Sequence, residues 1–145
     1  MKMEALSAYE RLQIVLLLVQ AQYGYPTRVE DIPLDNPATW QLFRQGATER
    51  LLHFRATGMK AYLQALHPKK LADLETLLLL YRSPKQCHRI PEFIQWKKTG
   101  LPFHLDKECP TAKEILFVKE QVKIIWQTAY LLAHFPGITS EGLPE

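Results

Sequence analysis

Residues 118–134 read VKEQVKIIWQTAYLLAH, and this stretch decides the fold. Its apolar side chains recur at spacings of three and four residues, which is the repeat of one face of a helix. Polar residues fill most of the positions between them. The pattern therefore predicts a long amphipathic helix from about Val118 to His134, with a buried stripe formed by Val118, Val122, Ile125, Trp126, Ala129 and Leu132.

A stripe of this length needs other helices to cover it, and the preceding segments supply them. Leu77–Leu80 is an unbroken apolar run inside a predicted helix from Leu71 to about Tyr81, which we expect to be mostly buried. Another helix begins at Thr57–Gly58 and ends at His67–Pro68, because a residue before proline avoids the helical region. Its apolar face consists of Met59, Tyr62, Leu63 and Leu66.

Capping signals predict two helices nearer the N-terminus. Ser7 and Glu10 have the spacing of a capping box, and the apolar repeat behind them stops at Gly24. Asn36–Pro37 predicts a second start, because asparagine caps a helix and proline tolerates its first position. Gly46 is the expected end of that short helix.

The remaining segments complete an all-α prediction of one compact domain with about five or six helices and short connectors. Pro91 begins a short helix that ends near Gly100. Residues 48–56 follow neither period and allow at most one short hairpin. We expect residues 1–135 to form the domain and residues 136–145 to be a flexible C-terminal tail.

Composition is that of a globular protein: of 145 residues, 47% are apolar and 23% charged, with a formal net charge of +3. The longest apolar run, Ile14–Val19, is far shorter than the roughly 20 residues of a membrane span. The N-terminus has neither the basic start nor the cleavable apolar segment of a secretory signal. These features predict a cytoplasmic protein without a membrane partner.

The positive charge is concentrated between Arg82 and Gly100. This segment contains five cationic residues and one acidic residue, Glu92, so its net charge is +4. Phe93 and Trp96 lie among these cations, a mixture that can contact phosphates and stack on bases. The alternative is that both aromatic residues pack inward, while the lysines only stabilise a helix end through its dipole. Both interpretations stay open at this point.

Catalytic and metal motifs are weak. Cys87, His88, His104 and Cys109 could hold zinc on paper, but adjacent Cys87 and His88 lack the usual two-residue gap, so ordinary loop residues are favoured. The six glycines do not form a phosphate-binding loop. Carboxylate pairs such as Glu30–Asp31 suit solvated or capping groups better than an acid and base pair. We expect no cofactor and no metal.

Five segments in order resemble the alpha subunit of bacterial DNA polymerase III, over about residues 1–135. Ile32–Phe43 is similar to the connector and helix that follow the palm, and Thr57–Leu66 to the Ser-Gly-Met helix. Leu77–Arg82 resembles the segment that leads into Tyr-Arg-Pro-Gly-Pro. The last two matches are Ile90–Gly100, similar to Ile-Pro-Glu-Phe-Ile followed by Arg-Lys-His-Gly, and Glu120–Val122, similar to Tyr-Gln-Glu-Gln-Val. The resemblance implies the end of the palm and the first part of the fingers.

Departures from that pattern imply that polymerase activity is absent. The family uses three palm carboxylates to hold two metal ions, and here we expect only Glu4, in place of an aspartate. The family's Val-Phe-Gln-Leu-Glu has become Leu51–Arg55, which exchanges an acid for a base. Tyr-Arg-Pro-Gly-Pro has become Tyr81–Lys85, which keeps the arginine and loses the glycine.

Three hypotheses follow. In the first, the chain is a non-catalytic fingers-like domain that binds DNA or nucleotide weakly, beside a polymerase or other protein subunit. The resemblance places Arg82 where the family has a nucleotide-contacting arginine, and the expected binding residues are Arg82, Lys85, Lys97, Lys98 and Lys60. In the second, the chain is a structural or protein-interaction remnant without a nucleic-acid ligand. In the third and least favoured, it is an enzyme with new chemistry in the loop from Cys87 to Cys109.

Overall fold

The computed structural model describes residues 7–24, 28–100, 111–135 and Ile138, and these residues form helices, turns and connectors without a strand. Single-turn 3₁₀ helices at Val29–Asp31 and Cys87–Arg89 precede the second and fifth α-helices. The all-α prediction is confirmed, with six α-helices in the described residues: α1 Ala8–Tyr23, α2 Pro37–Gln45, α3 Thr57–Leu66, α4 Leu71–Arg82, α5 Ile90–Thr99 and α6 Ala112–His134.

α6 forms the centre of the domain, in contact with α1, α2 and α4. All six residues of its predicted stripe are buried. Trp126 is completely inaccessible, and its ring centroid lies 5.6 Å from that of Trp40 in α2. The apolar run Leu77–Leu80 is also buried, as expected. The period of three to four residues therefore identified the core correctly.

Side-chain capping marks the starts of α1, α2 and α6, and it also explains where α6 differs from its prediction. The Ser7–Glu10 capping box is present, with both bonds at 3.2 Å. α6 begins at Ala112 rather than near Val118, because the Thr111 hydroxyl accepts the Glu114 N–H at 3.2 Å. The added turns carry exposed Leu116 and Phe117, which do not extend the buried stripe. The spacing of buried apolar residues therefore could not predict these first turns of α6.

Residues 48–56 form consecutive turns instead of the hairpin that the sequence allowed. The backbone N–H of Leu51 donates to Thr48, and that of Phe54 donates to Leu51. The Thr48 hydroxyl then donates to the Phe54 carbonyl at 2.5 Å. Leu51 and Phe54 are both buried, so this segment is held by the core at two points rather than by a strand ladder. Within it, His53 has a left-handed backbone with φ 70°.

α3 lies close to Gly46, the residue that ends α2. Its φ is 71°, which favours glycine, and it is buried. A Cβ atom there would lie 3.2 Å from the Lys60 carbonyl oxygen and 3.2 Å from Nε2 of Gln64. The predicted role of Gly46 as a helix end is confirmed, and the residue also sets how near α3 can come.

After α6 the chain returns to the core at Ile138, which is fully buried. Its carbonyl accepts a hydrogen bond from the Arg50 guanidinium at 2.6 Å. The other residues of the predicted tail, 136–145, lie outside the described residues, as do Glu4, His104 and Cys109. Among the helices that are described, none combines the length and apolar character needed to cross a bilayer.

Candidate nucleic-acid interface

Arg82 and Lys85 lie beside an open groove of about 430 Å³ between the end of α4 and the first turns of α6. The Arg82 guanidinium carbon is 5.1 Å from the centroid of the Phe117 ring. This is within cation–π distance, and Phe117 is 45% exposed. The first turns of α6, which the sequence did not predict, therefore provide one wall of the groove.

Arg82 is exposed and keeps hydrogen-bonding capacity. No carboxylate of the described residues lies within ion-pair distance of its guanidinium, although Glu114 lines the same groove. A guanidinium that stacks on a ring through its face still has N–H groups along its edge, in the fork geometry that matches a phosphate. The arrangement suits an anionic ligand.

His53 lies near this arginine and was not predicted as a site residue. Burial lowers the pKa of His53, the positive charge of Arg82 acts in the same direction, and a side-chain hydrogen bond with Gln121 opposes both. Arg11 and Arg55 also lower this pKa to a smaller extent. One indication of this segment's importance was present in the sequence, because Leu51–Arg55 has a basic residue where the family's segment has an acidic one. Only the fold shows that this segment approaches Arg82.

Lys97 is engaged in a specific internal ion pair. Its Nζ lies 2.7 Å from Oδ1 of Asp73, a carboxylate whose side chain is 3% exposed. The other carboxylate oxygen accepts the backbone N–H groups of Lys69 at 2.9 Å and Lys70 at 3.3 Å. Asp73 therefore caps the start of α4 and joins it to the end of α5.

The structure places Lys97 and Lys98 far from Arg82. A second groove, of about 220 Å³, is lined by Lys97, Lys98, Lys69 and His67 at the α3–α4 turn. Arg82 is the last residue of α4, whereas Asp73 lies in its first turn. At 1.5 Å per residue, the 12-residue helix separates the two basic regions by about 18 Å. The predicted basic stretch thus divides into two surfaces rather than one face.

Lys60, the fifth predicted binding residue, pairs with Glu49 at 3.0 Å. The hydrogen bond from Lys60 is the main reason that the pKa of Glu49 is lowered. The Lys60 side chain is partly buried beside the α2–α3 crossing. It joins neither of the two basic regions.

Residues 9–135 match the family model described as the bacterial DNA polymerase III alpha subunit finger domain. The chain belongs to this family. The resemblance seen in the sequence is therefore confirmed, and the match covers the six described α-helices except the first residue of α1.

Curated relatives of this finger domain are DNA polymerase III alpha subunits. The protein from Halalkalibacterium halodurans is 32% identical over 87 residues, which are 60% of this chain and 8% of that protein. The Aquifex aeolicus subunit is 26% identical over 123 residues, or 81% of this chain and 11% of the relative. For Thermus aquaticus, identity is 32% over 78 residues, 54% of this chain and 6% of the relative. The chain thus spans a small part of the proteins that it matches.

The zinc candidates of the finger domain cannot be compared as a set, since His104 and Cys109 lie outside the described residues. Cys87 is an exposed free thiol whose Sγ lies 3.8 Å from the Pro84 carbonyl oxygen. The described part of the chain contains no group of three or more His, Cys, Asp or Glu side chains that could hold a metal ion. Arg82 remains the described site residue whose surroundings suit an anionic ligand.

Proposed function

We propose that this finger domain binds the phosphates of a nucleotide or nucleic acid at the Arg82 groove and supplies no catalytic group of its own. The observation that carries the proposal is the exposed Arg82 guanidinium, which lies over the Phe117 ring beside Lys85. Membership of the finger-domain family supports a nucleic-acid context. The activity named for the relatives belongs to proteins much longer than this chain.

The chemistry of the groove fits phosphate groups. An arginine can donate two parallel hydrogen bonds to phosphate oxygens, and a lysine adds a compact positive charge. The exposed part of the Phe117 ring offers an apolar surface on which a base can stack.

The expectation of no catalysis is supported by how the described carboxylates are used. Two-metal catalysis needs carboxylates that converge on ions about 4 Å apart. Here Asp73 caps α4 and binds Lys97, Glu49 binds Lys60, and Glu92 lies 3.4 Å from Arg89. These three carboxylates lie at separate places with cationic partners, and the described residues hold no group of three acidic, histidine or cysteine side chains that could bind a metal ion.

The proposal is tested by measuring how tightly the parent protein and Arg82→Ala bind a deoxynucleoside triphosphate and primed DNA. Loss of a charge-assisted contact of about 1.5–3 kcal/mol is expected to weaken nucleotide binding roughly tenfold or more. Arg28→Ala is the matched control, because Arg28 is an exposed arginine that pairs locally with Glu30. Equal weakening by the two variants in fluorescence-anisotropy titrations contradicts the proposal.

The second candidate is a structural or protein-interaction role without a nucleic-acid ligand. Two of the five predicted binding residues, Lys97 and Lys60, are in ion pairs within the fold, which favours this alternative. It predicts no DNA binding even at low salt, together with a loss of stability in Arg82→Ala when Phe117 loses its cation.

A further inference from the structure

The α3–α4 turn and the end of α5 form a second basic surface, which we name the lysine turn: Lys69, Lys70, Lys97 and Lys98. Three of these lysines are positioned by one buried carboxylate. Asp73 accepts the backbone N–H groups of Lys69 and Lys70 and forms the 2.7 Å ion pair with Lys97. The turn is therefore held in one arrangement before any ligand arrives.

The lysine turn keeps a positive excess at its surface. Asp73 is buried and directs its oxygens to the turn and to Lys97, whereas Lys69, Lys70 and Lys98 are exposed. His67, exposed and with φ 52°, ends α3 at the edge of the same groove. Among the residues that the structure describes, no carboxylate lines the groove of about 220 Å³ between His67, Lys69 and Lys98. Such a surface attracts anions from solution.

We propose that the lysine turn binds the phosphate backbone of duplex DNA, as a contact separate from the Arg82 groove. The proposal rests on the proposed function only in taking the partner to be a nucleic acid. Lys98 and Lys69 contact the phosphates, and Asp73 is a positioning residue that touches no ligand. The contact carries no base specificity, because backbone phosphates are the same at every step.

The size and composition of this surface favour a nucleic-acid backbone over other anions. Pockets for small-molecule ligands enclose about 300–1,000 Å³, whereas this groove is smaller and open. Protein interfaces are depleted in lysine and enriched in exposed aromatic residues and arginine. The exposed side chains at the turn are instead lysines. A chain of phosphates that continues beyond the groove therefore fits better than an enclosed ligand or an acidic protein.

The distance between the two basic surfaces predicts the size of the partner. α4 separates them by about 18 Å. Phosphates of one duplex strand recur about every 3.4 Å along the axis, so the separation corresponds to about five base pairs. A duplex longer than this can reach both surfaces, whereas a single nucleotide can reach only one.

The test measures the salt dependence of binding to a hairpin duplex of about 12 base pairs, longer than the span just given. The full chain is compared with Lys69→Gln/Lys98→Gln. Two lost phosphate contacts are expected to reduce the slope of log affinity against log salt by about 2 in magnitude. The matched control is Lys119→Gln/Lys123→Gln, which removes the same charge from exposed positions on α6 that line neither basic groove.

A second probe, a deoxynucleoside triphosphate, separates this proposal from that for Arg82. We expect Lys69→Gln/Lys98→Gln to leave nucleotide affinity unchanged. Equal slopes for the lysine-turn and control variants overturn the lysine turn as a site, and so does the absence of duplex binding at low salt. In both cases, loss of nucleotide binding in Arg82→Ala keeps the Arg82 proposal standing.

An acidic peptide provides the last arm. In one outcome, polyglutamate binds as tightly as the duplex and its binding is lost in Lys69→Gln/Lys98→Gln. That result would mean that the surface recognises acidic proteins, and it would overturn the nucleic-acid assignment. Preference for the duplex, with a slope that only the lysine-turn variant flattens, supports it.

Discussion

At the scale of single residues, Asp73 combines two functions that are usually divided among several side chains. Its carboxylate satisfies amide N–H groups at the start of α4 and also neutralises Lys97 from α5. A buried carboxylate of this kind is stable only because each oxygen has partners. The sequence showed Asp73 as one of several acidic residues, and only the return of α5 along α4 gives it this position.

Replacement of Asp73 should therefore destabilise the fold more than replacement of its partner. We expect Asp73→Ala to lower the free energy of unfolding by at least about 2 kcal/mol, through loss of the cap and of charge-assisted bonds. Lys97→Met removes the partner of one Asp73 oxygen but keeps the amide bonds to the other, so we expect it to cost less than Asp73→Ala. Urea denaturation measures both. A larger effect for Lys97→Met would show that the ion pair, not the cap, dominates.

His53 predicts a specific dependence of stability on pH. Because burial and Arg82 lower the pKa of His53, the unfolded chain binds its proton first as the pH falls. Stability is therefore complete above the ordinary histidine pKa of about 6.5 and decreases below it. His53→Gln should lose less stability than the parent between about pH 7 and pH 5 in thermal denaturation. Identical profiles would mean that His53 does not contribute.

At the scale of elements, the crossing of α2 and α3 depends on Gly46. Gly46→Ala combines left-handed strain of about 1–2 kcal/mol with overpacking of about 1–3 kcal/mol against the Lys60 carbonyl. Gly24→Ala is the control, because Gly24 has a similar φ of 72° with nothing within 4 Å of its would-be Cβ. Chemical denaturation should show a clearly larger loss for Gly46→Ala. Equal losses would indicate that the crossing relaxes.

Elements with a clear period or cap could be predicted from the sequence, whereas their meeting points could not. The stripe of α6 and the cap at Ser7 depend on neighbours along the chain, so local patterns revealed them. The approach of Phe117 to Arg82, and of Lys97 to Asp73, joins residues distant in sequence. Local charge therefore grouped Lys97 with Arg82, although a whole helix separates them.

At the scale of the whole molecule, the dispersed carboxylates predict that the chain extends no primer. We expect purified protein with magnesium, primer-template and nucleotides to leave the primer unchanged. Primer extension needs carboxylates that converge to hold two metal ions at the end of the primer. A denaturing gel of the labelled primer measures this. Extension that disappears in Glu4→Ala would overturn the expectation of a binding domain without catalysis.

The central position of α6 has a consequence for how the protein is made. α1 is translated before α6, the helix that covers its apolar face, and α6 is the last of the described helices to emerge from the ribosome. At about 5–20 residues per second, the intervening synthesis takes on the order of ten seconds. Throughout that interval Leu12, Val15 and Val19 lack the neighbours that bury them in the finished fold. The nascent domain is therefore most exposed to aggregation just before α6 is complete.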